Sequence, residues 1–292
     1  MFRDFCERLH FPEEAILALE AADRAVRFDW QCTDRMAQAL HQFPAELALA
    51  EENLRQVSER SGVHRYTIDL LLLLRAVPTL RVEYARQGLA ESVFWETMTD
   101  LRCKLTECHD VYGVWGTFVL HWYVKIYTCR VVRLGRLEFE PMRWEGEPYR
   151  DVLRPGDPVV GCHIPSGEPC PIEAVMESFD RAYRQFGISR LPDPTMKVVC
   201  ASWLLYPPHI GLFPENGNLA KFADLFRVIS ENEREFSNFW RIFGRLPAGD
   251  FSDLPCDTSL RRNFADYLRA GNKMGVGTGL LLFDGEKTVK PE

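Results

Sequence analysis

The sequence predicts an α+β protein of two domains: a helical N-terminal domain over residues 1–113 and a mixed α/β sheet domain over residues 114–292. Apolar residues recur at helical spacing in the first part. In the second part, short apolar runs of strand length alternate with helical segments. Such alternation favours a sheet with helices on its faces, and 292 residues are enough for two domains.

Successive amphipathic helices account for the first domain. Pro12 stands before Glu13 and Glu14, where a proline loses no hydrogen bond and acids favour the helix dipole. We expect Thr33 to cap the next helix, Pro44 to open the one after it, and Pro78 to end a leucine-rich helix. A further long helix is predicted before Gly113, and no 20–50-residue repeat indicates a solenoid.

The second domain begins with a helix and then changes to strands. Strands are predicted at LEFEP, DPVVGCHIP, MKVVCASWLL, FRVISEN and GVGTGLLLFDG, and helices at VWGTFVLHWYVKIY, PIEAVMESFDRAYRQF, NLAKFADL and TSLRRNFADYLRAG. The continuous apolar character of MKVVCASWLL favours the centre of the sheet. The segment FSNFWRIFG fits a helix and a strand equally well.

The composition excludes several classes of protein. With 35 Lys and Arg against 42 Asp and Glu, the net charge of −7 disfavours a nucleic-acid partner. The longest aliphatic run, Leu70 to Leu74, is far shorter than the roughly 20 residues of a membrane helix. Nine scattered cysteines without a C-x-x-C pair predict reduced thiols and a cytoplasmic location, and no membrane partner is expected.

The most informative segment runs from Val159 to Pro171. An apolar strand ends there in a short loop containing Gly167, which leads into a helix that Pro171 begins. This geometry directs backbone N–H groups and the positive helix end at an anion, so phosphate or pyrophosphate is the natural ligand. The alternative is a connecting turn that binds nothing, as most strand-to-helix turns do.

A metal site is the weaker interpretation of the same segment. Cys162, His163, Cys170 and Cys200 could converge in the fold, but the His-x-Glu and Pro-Cys-x-x-Cys spacings of zinc deaminases are missing. Cysteines with apolar neighbours are more often core residues. We therefore predict no metal.

Two other patterns have simple structural explanations. The glycines of residues 275–279 lie between a helix and a strand, the reverse of a dinucleotide-binding loop, and indicate a turn or a closely packed strand start. Glu138 and Glu140 alternate with an apolar residue and should project from one face of the sheet. They are either a carboxylate pair near a cleft or part of a solvated face.

Three motifs carry a resemblance to a known family. In order along the chain they are RLGRLEFEP from Arg133, CHIPSGEP from Cys162 and VCASWLLYP from Val199, following a helical half. The chain thus resembles two-domain bacterial acyltransferase-domain proteins, which have a helical N-acyltransferase N-terminal domain and a GNAT-like C-terminal domain. The resemblance implies acyl-CoA as co-substrate and an amine acceptor, small or peptidic.

The resemblance also implies where CoA would bind. In GNAT enzymes a strand and the following helix hold the pyrophosphate of acyl-CoA with backbone N–H groups. The corresponding positions here are Ile164, Ser166, Gly167, Glu168 and Cys170. The sequence departs from the family pattern in two places: the loop lacks the Q/R-x-x-G-x-G/A signature and has the acid Glu168 where an anion should bind, and Ala201 stands where similar proteins often have a histidine.

Direct acyl transfer requires a base for the amine and an acid for the leaving thiolate. His163 is the first candidate base, with Glu138 or Glu140 acting through a water as alternatives. Tyr206 stands where GNAT enzymes often place the acid, and Cys200 is a candidate for an acyl-enzyme.

Two non-catalytic functions are also compatible with the sequence. One is a GNAT-like ligand-binding or regulatory protein, and the other is a scaffold whose helical half binds a protein. His163 would then be a core histidine.

Overall fold

The computed structural model describes residues 2–234 and 238–291. The chain divides into two compact units, the first ending at Val132 and the second beginning at Arg133. This division lies later than the predicted boundary after Gly113, because the helix after residue 113 packs within the first unit. The Tyr127 hydroxyl of that helix donates a hydrogen bond to the carbonyl oxygen of Leu73 at 2.7 Å.

The described part of the first unit is helical throughout. Its helices are α1 (Arg3–Arg8), α2 (Glu13–Phe28), α3 (Trp30–Gln42), α4 (Leu47–Ser61), α5 (Arg65–Arg86), α6 (Glu91–Tyr112) and α7 (Leu120–Tyr127). The leucines from Leu70 to Leu74 are buried at the centre of α5. None of the helices in the described residues has the length and apolar character needed to cross a membrane.

Three predicted helix ends in this unit are wrong. The cap of α3 is Asp29, whose carboxylate accepts from the backbone N–H of Gln31 at 2.8 Å, so Thr33 lies inside the helix. Helix α4 begins three residues after Pro44. Helix α5 continues through Pro78, because buried residues on both sides of the proline keep the helix packed despite one lost hydrogen bond.

A single mixed sheet forms the framework of the second unit. Its strands are β1 (Val132–Leu134), β2 (Leu137–Arg143), β3 (Pro158–His163), β4 (Met196–Ser202), β5 (Arg227–Glu233), β6 (Gly275–Phe283) and β7 (Thr288–Val289). The spatial order is β1-β2-β3-β4-β6-β5, with β7 on β6. Strands β3 and β4 pair in parallel, whereas β2 with β3, β4 with β6, β5 with β6, and β6 with β7 pair antiparallel. The predicted central position of β4 is confirmed.

Helices of the second unit are α8 (Ile172–Gln185), α9 (Pro207–Ile210), α10 (Asn218–Asp224), α11 (Phe239–Phe243) and α12 (Ser259–Arg269). Helix α8 packs on one face of the sheet through Phe179, whose ring lies 6.1 Å from that of Phe139 on β2. The segment FSNFWRIFG contains α11, and its first two residues lie outside the described residues.

The glycines that begin β6 are there because another backbone packs directly on them. A Cβ atom at Gly277 would lie 1.9 Å from the carbonyl oxygen of Leu205, and one at Gly275 would lie 2.5 Å from the Tyr206 ring. The close-packed strand start is therefore the correct interpretation of this glycine run.

Substitution of Gly277 by Ala should destabilise the protein, because the main chain of Leu205 cannot move aside like a flexible side chain. We expect the free energy of unfolding to fall by about 3 kcal/mol or more, as in overpacked cores. Urea denaturation measures this change. Gly211→Ala is the matched control, since a Cβ there meets no atom within 4 Å, and its effect should stay below about 0.5 kcal/mol. Equal stabilities of the two variants would contradict the packing argument.

Candidate functional site

The candidate site lies where the central sheet of the second unit divides. The recorded pairing between β3 and β4 consists of Val160 with Val198 and Gly161 with Val199. Beyond it, β3 continues along β2 as far as His163, and β4 continues along β6 as far as Ser202. Beyond Gly161 and Val199 the ends of the two parallel strands thus pair with different neighbours and not with each other.

The alternation of side chains assigns each candidate residue to one face of the sheet. Phe139 faces α8 and is paired with Cys162, so both lie on the α8 face. Val198 and Cys200 share this face by the register of β3 with β4. Glu138, Glu140 and His163 belong to the opposite face.

The opposite face brings together the three predicted candidates for the base. Glu138 is paired with His163 across the strands, and Nε2 of His163 lies 3.5 Å from a carboxylate oxygen of Glu140. Both glutamates are buried, whereas the imidazole keeps 31% of its surface exposed. The predicted common face of the glutamates is therefore present, and it is not a solvated one.

Cys200 and Tyr206 lie on the α8 face instead. The thiol of Cys200 is buried and hydrogen-bonded with that of Cys162, and burial raises the pKa of Cys162 well above its usual range. The Tyr206 ring packs on Gly275 of β6, and burial raises the pKa of its phenol. The structure thus separates these two residues from His163 by the thickness of the sheet.

The five predicted binding positions lie in the loop that joins β3 to α8. Ile164, Ser166 and Glu168 are partly buried, Cys170 is buried, and Gly167 is exposed with a φ of 84°. Helix α8 follows without a side-chain cap on its first turn. Backbone N–H groups at such an uncapped end are suited to an anion.

Two arginines support this loop, and sequence reasoning assigned them no role. Arg133 donates to the carboxylate of Glu168 at 2.6 Å. Arg136 donates to the carbonyl oxygens of Glu168 at 2.9 Å and Pro169 at 2.8 Å. The signal was present in the RLGR motif, where two bases flank the turn between β1 and β2, but their target is more than 30 residues away in sequence.

His209 is a second residue that the sequence did not single out. It is fully buried among aromatic rings, and its Nδ1 lies 2.9 Å from the carbonyl oxygen of Trp203. Its ring packs edge-on against that of Tyr206 at 4.8 Å. Burial lowers the pKa of His209, so the imidazole is held neutral behind Tyr206.

Within residues 2–234 and 238–291, no three His, Cys, Asp or Glu side chains form a group suited to a metal ion. His163 does not join Cys162 and Cys200, because successive positions on β3 point to opposite faces of the sheet.

Both parts of the chain match known families. The sequence profile described as GNAT-like C-terminal domain matches residues 131–281, and the one described as N-acyltransferase N-terminal domain matches residues 2–129. No curated protein matches the sequence significantly. The two-domain resemblance drawn from the three sequence motifs is confirmed.

Similar solved structures are acyltransferases. One, in complex with decanoyl-CoA and teicoplanin, has a TM-score of 0.72. Others are a mutant with octanoyl-CoA and a complex with CoA and 10C-teicoplanin, each with a TM-score of 0.69. All three are 23% identical to this chain, and each match covers 95% of this chain and 86% of the other. At this identity the likeness establishes the shared fold.

The neutral state of His209 predicts a pH dependence of stability. Because its pKa is lower in the folded state, the unfolded chain binds the proton first as the pH falls below about 6.5. Stability is therefore lost in that range. His209→Asn keeps a donor for the Trp203 carbonyl without a titrating ring, so its free energy of unfolding should fall less between pH 7.5 and pH 5. If urea denaturation shows the free energy of unfolding falling equally with pH in the wild type and in His209→Asn, this prediction is contradicted.

Proposed function

Because the chain belongs to the GNAT-like C-terminal domain family, with an N-acyltransferase N-terminal domain before it, we propose that it transfers an acyl group from acyl-CoA to an amine. The end of the β3–β4 pairing at Gly161 and Val199 is the observation that carries this proposal. It leaves backbone groups of two strand ends without each other as partners, in a place where a thioester could lie between them.

The two faces of the sheet suggest separate approaches for the two substrates. The loop before α8 and the uncapped end of this helix would bind the pyrophosphate of CoA, which brings the donor from the α8 face. The amine would approach from the face that carries His163 and Glu140. The acceptor that we propose is a small or peptidic amine, in keeping with the teicoplanin present in one similar structure.

In the proposed reaction the amine nitrogen attacks the thioester carbonyl carbon. Nε2 of His163 accepts the amine proton, and the Glu140 carboxylate 3.5 Å away stabilises the resulting imidazolium. Backbone N–H groups at the two strand ends stabilise the oxyanion. As the carbon–sulfur bond breaks, the thiolate takes a proton from the Tyr206 phenol, which its raised pKa keeps protonated at neutral pH. The products are an amide and free CoA, and proton exchange with solvent returns the His163 imidazolium and the Tyr206 phenolate to their starting states.

The structure offers a physical reason for each departure from the family pattern. The loop acid Glu168 is neutralised by Arg133 and is therefore compatible with an anion nearby. Ala201 carries no proton acceptor, and counting on from the Val160–Val198 pair puts His163 at the position on β3 that corresponds to Ala201 on β4. We assign to His163 the imidazole function at these strand ends. A covalent route through Cys200 is disfavoured because that thiol is buried against Cys162.

Binding of the proposed co-substrate is tested by thermal unfolding with CoA and decanoyl-CoA. A ligand of the folded state should raise the melting temperature progressively, with about 2.7 kcal/mol of stabilisation at a hundredfold excess over Kd. Pantothenate is a control without phosphates or the thiol-bearing end. The absence of any shift at millimolar CoA and decanoyl-CoA would refute the acyl-CoA proposal.

Replacement of His163 by Ala tests the assignment of the base. We expect kcat to fall at least about a hundredfold, because general base catalysis contributes factors of this size, while the Kd for CoA measured by calorimetry stays within about twofold. His41→Ala, on the exposed side of α3, is the control and should leave both constants unchanged. A core histidine would instead show a lower melting temperature with kcat retained, and that result would remove His163 from the mechanism.

A further inference from the structure

We propose that Arg136 is a binding residue for the diphosphate of acyl-CoA, and that with Arg133 it forms a clamp on the loop of residues 164–171. This inference rests on the proposed function. It explains how a loop without the family's glycine-rich signature could present an anion site.

Arg136 fixes the main chain of the loop at two successive residues. Its Nη2 donates to the carbonyl oxygen of Glu168 at 2.9 Å, and its Nε donates to that of Pro169 at 2.8 Å. Carbonyl oxygens held by the guanidinium point towards it, so the intervening peptide planes have a fixed orientation. A planar fork of donors suits this task better than a lysine ammonium does.

The same arginine is tied to α8 through its own backbone. The N–H of Arg136 donates to the Ser178 hydroxyl at 2.8 Å, and this hydroxyl donates to the carbonyl oxygen of Ala174 at 2.7 Å. The turn residue Gly135, with a φ of 75°, lies so close that a Cβ would be 2.9 Å from the Ser178 oxygen. The β1–β2 turn, the loop and the first turns of α8 are therefore fixed relative to one another.

The charges of the clamp leave an excess of positive potential at the loop. Arg133 pairs with the Glu168 carboxylate at 2.6 Å, which cancels the acid that would repel a phosphate. The guanidinium of Arg136 donates its hydrogen bonds to the uncharged carbonyl oxygens of Pro169 and Glu168. Its charge also acts on Cys170 in the same loop, where it partly opposes the rise in thiol pKa that burial causes.

Arg136 also has one donor left to offer. The side chain is buried, with 8% of the residue exposed, and its Nη1 has no hydrogen-bond partner among the described residues. A buried N–H of a charged group without an acceptor is costly. A diphosphate oxygen is an acceptor of the right charge for this atom, and the uncapped end of α8 adjoins the same loop.

The experiment compares Arg136→Met and Arg136→Lys with the wild type, using decanoyl-CoA and decanoyl-pantetheine as donors. Decanoyl-pantetheine carries the same thioester without phosphates. In Arg136→Met we expect the Kd for CoA and the KM for decanoyl-CoA to rise about 10- to 100-fold, the effect of losing charge-assisted hydrogen bonds. The KM for decanoyl-pantetheine and kcat should stay within about threefold. Arg136→Lys should give an intermediate KM because it restores the charge without the fork.

Arg143→Met is the matched control, since Arg143 lies at the far end of β2 from Arg136 and likewise donates to a backbone carbonyl, from Nη1 to that of Gly156 at 3.1 Å. It should not alter either KM. If Arg136→Met does not fold, the test uses Arg136→Lys and measures how well inorganic pyrophosphate competes with CoA for binding. Weaker competition than in the wild type supports the clamp, and equal competition refutes it.

The possible failures are distinguishable. If the wild type binds CoA and a folded Arg136→Met binds it equally well, the clamp is refuted and the proposed function stands. An equal loss for decanoyl-CoA and decanoyl-pantetheine would show a merely structural arginine and also refutes the clamp. If the wild type binds neither CoA nor decanoyl-CoA, the proposed function fails, and the clamp fails with it.

Discussion

The second unit depends on the way two pairs of strands share one sheet. Strand β3 is paired with β2 along its whole length, and β4 with β6 along its whole length, whereas the backbone pairing of β3 with β4 is limited to Val160–Val198 and Gly161–Val199. Each half is stabilised by its own antiparallel partner. Each strand therefore stays in the sheet where the parallel pairing ends, while the backbone groups on its other edge are not paired with the neighbouring parallel strand.

The elements around these strand ends are held by contacts to the main chain. Leu205 and Tyr206 lie directly on the glycines of β6, and Arg136 holds two carbonyl oxygens of the loop before α8. Close approach of backbone to backbone allows little adjustment. The segments that follow β3 and β4 are therefore fixed on one side of the sheet, and His163 with Glu140 occupies the other side.

Much of this arrangement was accessible from the sequence because it depends on local patterns. The period-2 alternation of Glu138 and Glu140 predicted their shared face, the apolar run at Met196–Ser202 predicted a central strand, and Pro171 marked the start of α8. The errors at Thr33 and Pro78 have different causes: Asp29, four residues earlier, is a competing cap for Thr33, and buried packing on both sides of Pro78 overrode the local preference of proline. From the sequence, the charge of Glu168 is expected to repel an anion at the loop. The sequence does not reveal that Arg133, 35 residues away, pairs with this carboxylate.

The sequence by itself determined the helical and mixed parts, the order of elements and the strand-loop-helix at Val159–Pro171, because periodicity, turn residues and motifs are read along the chain. Tertiary structure alone decided which strands part, which candidates share a face, and which arginines hold the loop. These depend on register and on contacts between residues far apart in sequence. A change of one residue in register would have exchanged the faces of His163 and Cys162.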